Sequence, residues 1–418
     1  METITLNSIN LKENRIIYDY SISEKLKKFF VEYKPFELQY SIDVRNVPES
    51  ILVIPFLCNI LPLIWITNSS VKVDKIDKDF YDHIDDIKEG YCNMLPQFEF
   101  KGEVCANEII NNVLENKSSA VFFSGGMDAT TTLMRHLNEK PDLITLWGSD
   151  ISLDDNLGWN NVINHIKDTA EKYDLYYWFV KSNFRQFINY VDLDRLVNAC
   201  GDSWWHAFQH GIGLIAHAAP VAYLRGYKNL YIASSYTESM KGTYTCASDP
   251  SIDDNVHFCG NKTTHDGYEM TRQEKAKYLV LQQKKMNQVM NLRVCYMEAK
   301  GKNCCRCEKC YRSILEIISE GGDPNKFGLP WKKSDIPIFR INMLTKITTA
   351  TNNINAFWIP IQNGMKKNKK LISNFDDYKW LIDLDLNSLN DYPVKRIRRK
   401  FSRIKRSFLS GKFIKVGR

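Results

Sequence analysis

The chain has 418 residues, of which 44% are hydrophobic, 25% charged and 12% aromatic. That length exceeds one ordinary domain and that mixture can fill a large core, so a wholly disordered chain is excluded. The formal net charge is +7, and the eleven cysteines, an odd count in a long chain, do not suit a small disulfide scaffold.

The opening segment METITLNSIN has neither the basic start nor the apolar core of a secretory signal. Residues 15–20 and 36–44 read as strands. The most apolar stretch, residues 51–67, is shorter than the roughly 20 residues that a bilayer span needs, and Pro55, Asn59 and Pro62 interrupt it. It is expected to be a buried helix or helix pair, and the expected compartment is the reducing cytoplasm. Residues 73–89 read as a charged helix. Residues 1–112 together form an N-terminal accessory α+β region with no catalytic motif.

Residues 113–325 alternate short apolar runs with helical stretches. Strands are expected at 120–123, 143–147, 175–180 and 230–234, and helices at 129–138, 160–173 and 211–225. This alternation predicts an α/β fold, a Rossmann-like parallel sheet with helices on both faces. Residues 326–418 read as a helical C-terminal region.

The sharpest local feature is Ser124-Gly125-Gly126-Met127-Asp128-Ala129-Thr130-Thr131, directly after the strand at 120–123 and opening a helix. Two glycines let the backbone approach an anion, and the first helical N–H groups and the helix dipole then face it. Ser124, Thr130 and Thr131 add hydroxyl donors, and Asp128 can hold Mg2+. The spacing is too short for a Walker loop and no lysine follows. Because ligands bind at the carboxyl ends of parallel strands, the rest of a ligand held by this loop is expected near Leu146, Trp147 and Gly148.

This motif resembles the PP-loop of the N-type ATP pyrophosphatases, a superfamily that cleaves ATP between the α and β phosphates and transfers AMP to a substrate oxygen. The resemblance implies an adenine nucleotide alpha hydrolase-like fold, with ATP and Mg2+ bound by Ser124, Gly125, Gly126, Met127, Asp128, Thr130 and Thr131, with the adenine near Leu146, Trp147 and Gly148, and with Ser124 and Asp128 as the catalytic pair.

The second strong feature runs from Cys295 to Cys310, with spacing C-x8-C-x2-C-x2-C through Cys304 and Cys307. Four thiolates complete a tetrahedral zinc shell, and such a closed site is structural. Four cysteines also suit an iron–sulfur cluster. Cys305 is surplus. The same spacing, C-terminal to a PP-loop, is similar to the zinc site of the QueC-like 7-cyano-7-deazaguanine synthases, and the likeness covers about residues 118–320. Departures are equally plain. Those synthases carry Tyr-Gly-Gln-Arg-His where this chain has Trp147-Gly148-Ser149-Asp150-Ile151. They also carry Asp-x-x-x-Tyr-Pro-Asp-Cys where it has Ser234-Ser235-Tyr236-Thr237-Glu238 and then Ser248-Asp249-Pro250.

The resemblance therefore implies the same activation chemistry on a different acceptor. The acceptor carboxylate or carbonyl oxygen is adenylated, pyrophosphate is released, and a nitrogen nucleophile gives an amide or nitrile. The alternatives are a sulfur-transferring or amidating enzyme acting on RNA or an activated sugar, and a non-catalytic nucleotide-binding module.

Three further features carry weaker signals. Residues 204–210, with His206 and His210 at i, i+4, fit a packed amphipathic helix better than a metal pair. His265-Asp266 fits satisfied polarity somewhat better than an acceptor contact. Residues 395–418 hold eleven Lys or Arg and no acid, which leaves the rest of the chain at −4. Ile397, Phe401, Ile404 and Phe408 give this tail one apolar face, suited to an anionic membrane surface, to RNA or to docking on the core. A homo-oligomer is a further partner class.

Overall fold

A computed structural model describes residues 2–115, 117–295, 300–391 and residue 395. The chain forms two compact units, one of residues 1–271 and 299–302, the other of residues 272–298 and 303–418. The expected divisions at residues 112 and 325 coincide with neither boundary. In the first case the reason is backbone pairing, because the N-terminal strands enter the same sheet as the loop-bearing strands.

That sheet has ten strands: β1 (Thr3–Lys12), β2 (Arg15–Ile22), β3 (Phe36–Tyr40), β4 (Ser70–Asp77), β5 (Glu103–Ile110), β6 (Ser118–Phe122), β7 (Asp142–Trp147), β8 (Tyr177–Ser182), β9 (Tyr227–Ala233) and β10 (Lys262–Asp266). Their order is β10-β9-β6-β7-β8-β3-β2-β1-β4-β5. The half from β10 to β8 is parallel throughout. The joints β8–β3, β3–β2 and β2–β1 are antiparallel, and β1–β4–β5 is parallel again. The fold is mixed α/β with a mostly parallel sheet, and not the purely parallel sheet expected.

The apolar stretch forms a short helix, Glu49–Leu52, and then α1 (Ile54–Ile66), in which every residue from Ile54 to Trp65 is buried. A helix apolar all round belongs inside a core. Its one amide, Asn59, is satisfied: Nδ2 donates to the Pro55 carbonyl at 2.8 Å and Oδ1 accepts from Gln209 Nε2 at 2.8 Å. Among the described residues no helix is long and apolar enough to cross a membrane.

The segment expected as a helix at 73–89 divides in two. Residues 70–77 alternate buried Val71 and Val73 with exposed Lys72 and Asp74, the period of a strand, and form β4. Asp77 then caps α2 (Lys78–Met94), its carboxylate accepting from Phe80 N–H at 3.2 Å. The loop helix is α3 (Met127–Arg135), and α4 (Asn156–Tyr173) joins β7 to β8. The apolar helix expected at 211–225 is three short pieces, Ile212–Ile215, Ala216–Ala218 and Ala219–Arg225. Gly211 sets the first at φ +82°, and Pro220 opens the last.

Within its described residues the second unit is helical. It contains α5 (Arg272–Met286), α6 (Glu308–Ser319), α7 (Asp335–Thr345) and α8 (Ile359–Lys367). Tyr311 on α6 packs its ring against Trp331 and Phe339, and its hydroxyl accepts from Asn342 Nδ2 at 2.8 Å. The buried Arg272 and Glu316 pair at 3.2 Å and tie α5 to α6. Of the basic tail, only Lys395 lies within the described residues; it is buried and donates to the Leu389 carbonyl at 2.8 Å.

Candidate functional site

The parallel half of the sheet has a break in its winding. From β6 the chain moves outward to β7 and β8, then returns to β9 and β10 on the other side of β6. Adjacent connections diverge between β6 and β9, the kind of switch point at whose carboxyl ends ligands of open α/β sheets bind. The Ser124–Thr131 loop leaves β6 at this point.

Loop geometry follows from its glycines. Gly125 has φ +77°, a conformation that costs a side chain free energy. Gly126 takes the N-cap position of α3 and supplies no side-chain cap. The first-turn amides of a helix have no intrahelical acceptor, and the dipole makes this end positive. Ser124 Oγ accepts from Gly126 N–H at 3.3 Å, which holds the turn. Residues alternate in burial: Gly125, Met127 and Ala129 are buried, while Ser124, Gly126 and Asp128 are half-buried.

The two threonines differ. Thr131 is buried and its hydroxyl donates to the Met127 carbonyl at 2.9 Å, so its proton is spent inside the helix. The Thr130 hydroxyl is buried with no hydrogen-bond partner among the described residues. A buried hydroxyl left without a protein partner is uncommon.

At the end of β7, Trp147 is held from several sides. Its indole N–H donates to the Ser152 carbonyl at 2.9 Å, its ring stacks on Trp159 at 5.1 Å, and Lys181 Nζ stands 4.3 Å from the ring centre. Gly148 has φ +111°, and a Cβ there would meet the Ser182 carbonyl oxygen at 2.0 Å. Leu146 is half-buried. A ligand reaching this strand end would meet backbone more readily than a free indole face.

A second group, largely missed in the sequence, gathers beyond the carboxyl ends of β8, β9 and β10. Residues Trp205–Gln209 form a π-helical turn, which buries Ala207, Phe208 and Gln209 but leaves His206 and His210 half-buried, with rings 6.3 Å apart. Asp202 Oδ2 accepts from His206 Nδ1 at 2.7 Å, which leaves Nε2 to accept from the Tyr236 hydroxyl at 3.1 Å. A carboxylate that orients an imidazole against a hydroxyl is the arrangement of a general base. Arg185 lies 4.1 Å from the Trp205 ring centre and donates to the Ser149 carbonyl at 3.0 Å.

His210 lies 3.3 Å from Cys246 Sγ. Burial pushes His210 down to about 4, so it is neutral, and burial pushes the Cys246 thiol up to about 12, so it is no thiolate nucleophile. On β10, His265 Nδ1 pairs with the buried Asp253 at 2.8 Å, and burial raises Asp253 to about 6 against the pull of that pair. Asp266 accepts from Thr132 Oγ1 at 2.8 Å and from His136 Nε2 at 3.1 Å. Burial works to raise Asp266, but these bonds and the Arg135 charge hold it below its ordinary value. His265 and Asp266 are thus satisfied polar groups, and Asp266 also anchors α3 to β10 through Thr132.

In the second unit, Cys295, Cys304, Cys307 and Cys310 bring their sulfurs within 4.8 Å of one another. Cys295 and Cys307 are 3.8 Å apart, and Cys304 and Cys310 are 3.9 Å apart. A tetrahedral ion with zinc–sulfur bonds of about 2.3 Å separates its sulfurs by about 3.8 Å, so the group can hold one metal ion such as zinc. Iron–sulfur clusters distribute their cysteines over two or more irons, which spreads at least some of the sulfurs further. Cys307 is the N-cap of α6, and Cys310 sits in its first turn. Backbone N–H groups of Cys307 and Cys310 donate to Cys304 Sγ at 3.3 Å and Cys307 Sγ at 3.4 Å, which favours thiolates. Cys305 stands outside the group at φ +51°.

Asn303 was not singled out in the sequence. Its amide donates to the Leu292 and Gly328 carbonyls at 2.7 and 3.0 Å, and its oxygen accepts from Val294 N–H at 2.9 Å, locking the strand of chain that delivers Cys295. A scan against protein-family models returns no match to this chain, and no curated protein matches it.

Proposed function

We propose that the chain is an ATP-dependent adenylating ligase of the PP-loop type, similar in its activation chemistry to the 7-cyano-7-deazaguanine synthases, with a structural zinc site. One observation carries the reading: the Ser124–Thr131 loop lies where the strand order reverses, with Gly125 at φ +77° and an uncapped helix behind it.

In this reading an acceptor carboxylate or carbonyl oxygen attacks the α-phosphate of ATP. The bond to the β-phosphate breaks, and pyrophosphate leaves against the first-turn amides of α3 and the hydroxyls of Ser124 and Thr130. Mg2+ held by Asp128 would offset charge on the phosphates. The adenine lies along the backbone of residues 146–148. A nitrogen nucleophile then attacks the adenylate and AMP departs. In this reading His206, oriented by Asp202, takes the proton that the nucleophile loses. Sulfur transfer is disfavoured by the raised thiol of Cys246, and the other clustered cysteines serve the metal.

Pyrophosphate release tests the reading. Ser124→Ala and Asp128→Ala are each expected to lower it by about 10²-fold or more, the scale of losing one preorganised group at developing charge. Undiminished release would sink the assignment. ATP binding without pyrophosphate release in the unmodified protein would favour a non-catalytic nucleotide-binding module.

A further inference from the structure

A second cluster of metal-ligating side chains lies in the first unit, apart from the loop and the cysteines. A carboxylate oxygen of Asp79 and one ring nitrogen each from His83 and His257 stand within 4.8 Å of one another. Asp79 and His83 are one turn apart on α2 and so share a face. His257 follows the short helix Pro250–Asp253 and precedes β10.

Both imidazoles are prepared for ligation in the same way. His83 Nδ1 lies 2.7 Å from the Asp79 carbonyl, and His257 Nε2 lies 2.7 Å from the Asp254 carbonyl. A carbonyl oxygen only accepts, so these nitrogens carry the protons. The lone pairs then sit on Nε2 of His83 and Nδ1 of His257. Metal-ligating histidines are oriented by this kind of outer hydrogen bond, which fixes the tautomer.

The surroundings also converge. Cys259 and Gly260 both have positive φ, at 48° and 78°, and their N–H groups point back at α2. Cys259 N–H donates to Asp77 Oδ2 at 2.9 Å, and Gly260 N–H donates to Asp79 Oδ2 at 2.8 Å. Asp79 is thus held with one oxygen engaged and the other turned toward His83, at 3.6 Å from its Nδ1. The two rings stack at 4.2 Å with planes 15° apart. Joint ligation requires them to splay about χ2, a broad and soft torsion in histidine.

We propose that Asp79, His83 and His257 form a second metal site, for a divalent ion of the zinc, cobalt and nickel class, which clips α2 to the segment that leads into β10. Two imidazoles and one carboxylate suit these ions better than magnesium or calcium, which prefer all-oxygen shells. Three protein ligands leave at least one position for water, in keeping with the partial exposure of the side chains.

Cobalt(II) titration of the full chain tests this. Ions in the four-cysteine group give an intense thiolate-to-metal charge-transfer band. The proposal expects a further equivalent in the unmodified protein whose weak visible bands lack that signature. His83→Gln and His257→Gln, on separate elements, should each weaken that equivalent by more than about tenfold, the least expected when even an outer-shell partner is lost. Each should leave the charge-transfer band intact. An unmodified chain that takes up only thiolate-bound cobalt overturns the proposal whatever the variants do. So does a second equivalent that both variants retain at full affinity.

Discussion

The two units build their candidate sites from opposite materials. In the second unit four sulfurs within 16 residues of sequence converge on one point, and side chains alone define the site. In the first unit the site is mostly backbone: a positive-φ glycine, uncapped amides and strand ends, brought together by a strand order that no short window of sequence contains. Side-chain sites are therefore open to simple deletion. Backbone sites are better probed by adding atoms where the fold keeps space clear.

The largest effect is expected in the second unit. Cys307→Ser removes a thiolate while serine, itself a favoured N-cap, can keep the cap of α6. Structural zinc contributes about 10–16 kcal/mol of apparent binding energy in small zinc domains at pH 7. The variant should lose its metal, and circular dichroism should show loss of helix; a chelator added to the unmodified protein should reproduce that loss. Retained helix without metal would mean that the helical core stands by itself.

In the first unit, Gly148→Ala sets a methyl 2.0 Å from the Ser182 carbonyl at φ +111°. Strain and overpacking together should cost on the order of 3–5 kcal/mol in chemical denaturation. A smaller loss would show that the ends of β7 and β8 can part. Thr132→Val removes the hydroxyl that donates to buried Asp266 and should cost about 1–3 kcal/mol.

The smallest effect is one of pH. The folded pKa of His136 is raised: burial lowers it, but Asp266 and Glu139 outweigh burial. Its contribution to stability is complete below pH 6.5 and is lost as pH rises through the folded value. His136→Gln should therefore flatten the fall in melting temperature above pH 6.5, and an unchanged slope would assign that fall to other groups.

Legibility in the sequence followed the same division. The cysteine spacing and the strand–loop–helix at 120–135 were plain because each is local. The segment at 70–77 was hidden because Lys75 and Ile76 fall out of phase with the alternation begun at Val71–Asp74, and β10, Lys-Thr-Thr-His-Asp, is too polar to read as a strand. The Asp202–His206–Tyr236 chain draws its members from two loops and was beyond local reading; only the pair of histidines at i, i+4 hinted at it. Gly148 offered no signal, since its need arises from the approach of β8.

The most direct measurement is calorimetric titration of the full chain with MgATP, set beside Gly126→Ala. Gly126 has φ −68° and ψ 166°, a conformation open to alanine, so the variant should fold and lose no more than about 1 kcal/mol at the cap. Its methyl is added at the loop proposed to hold the phosphates. One site per chain in the unmodified protein, weakened at least about tenfold by the methyl, is the expected result. No binding by the unmodified chain, or equal binding by both proteins, would contradict a phosphate site at this loop.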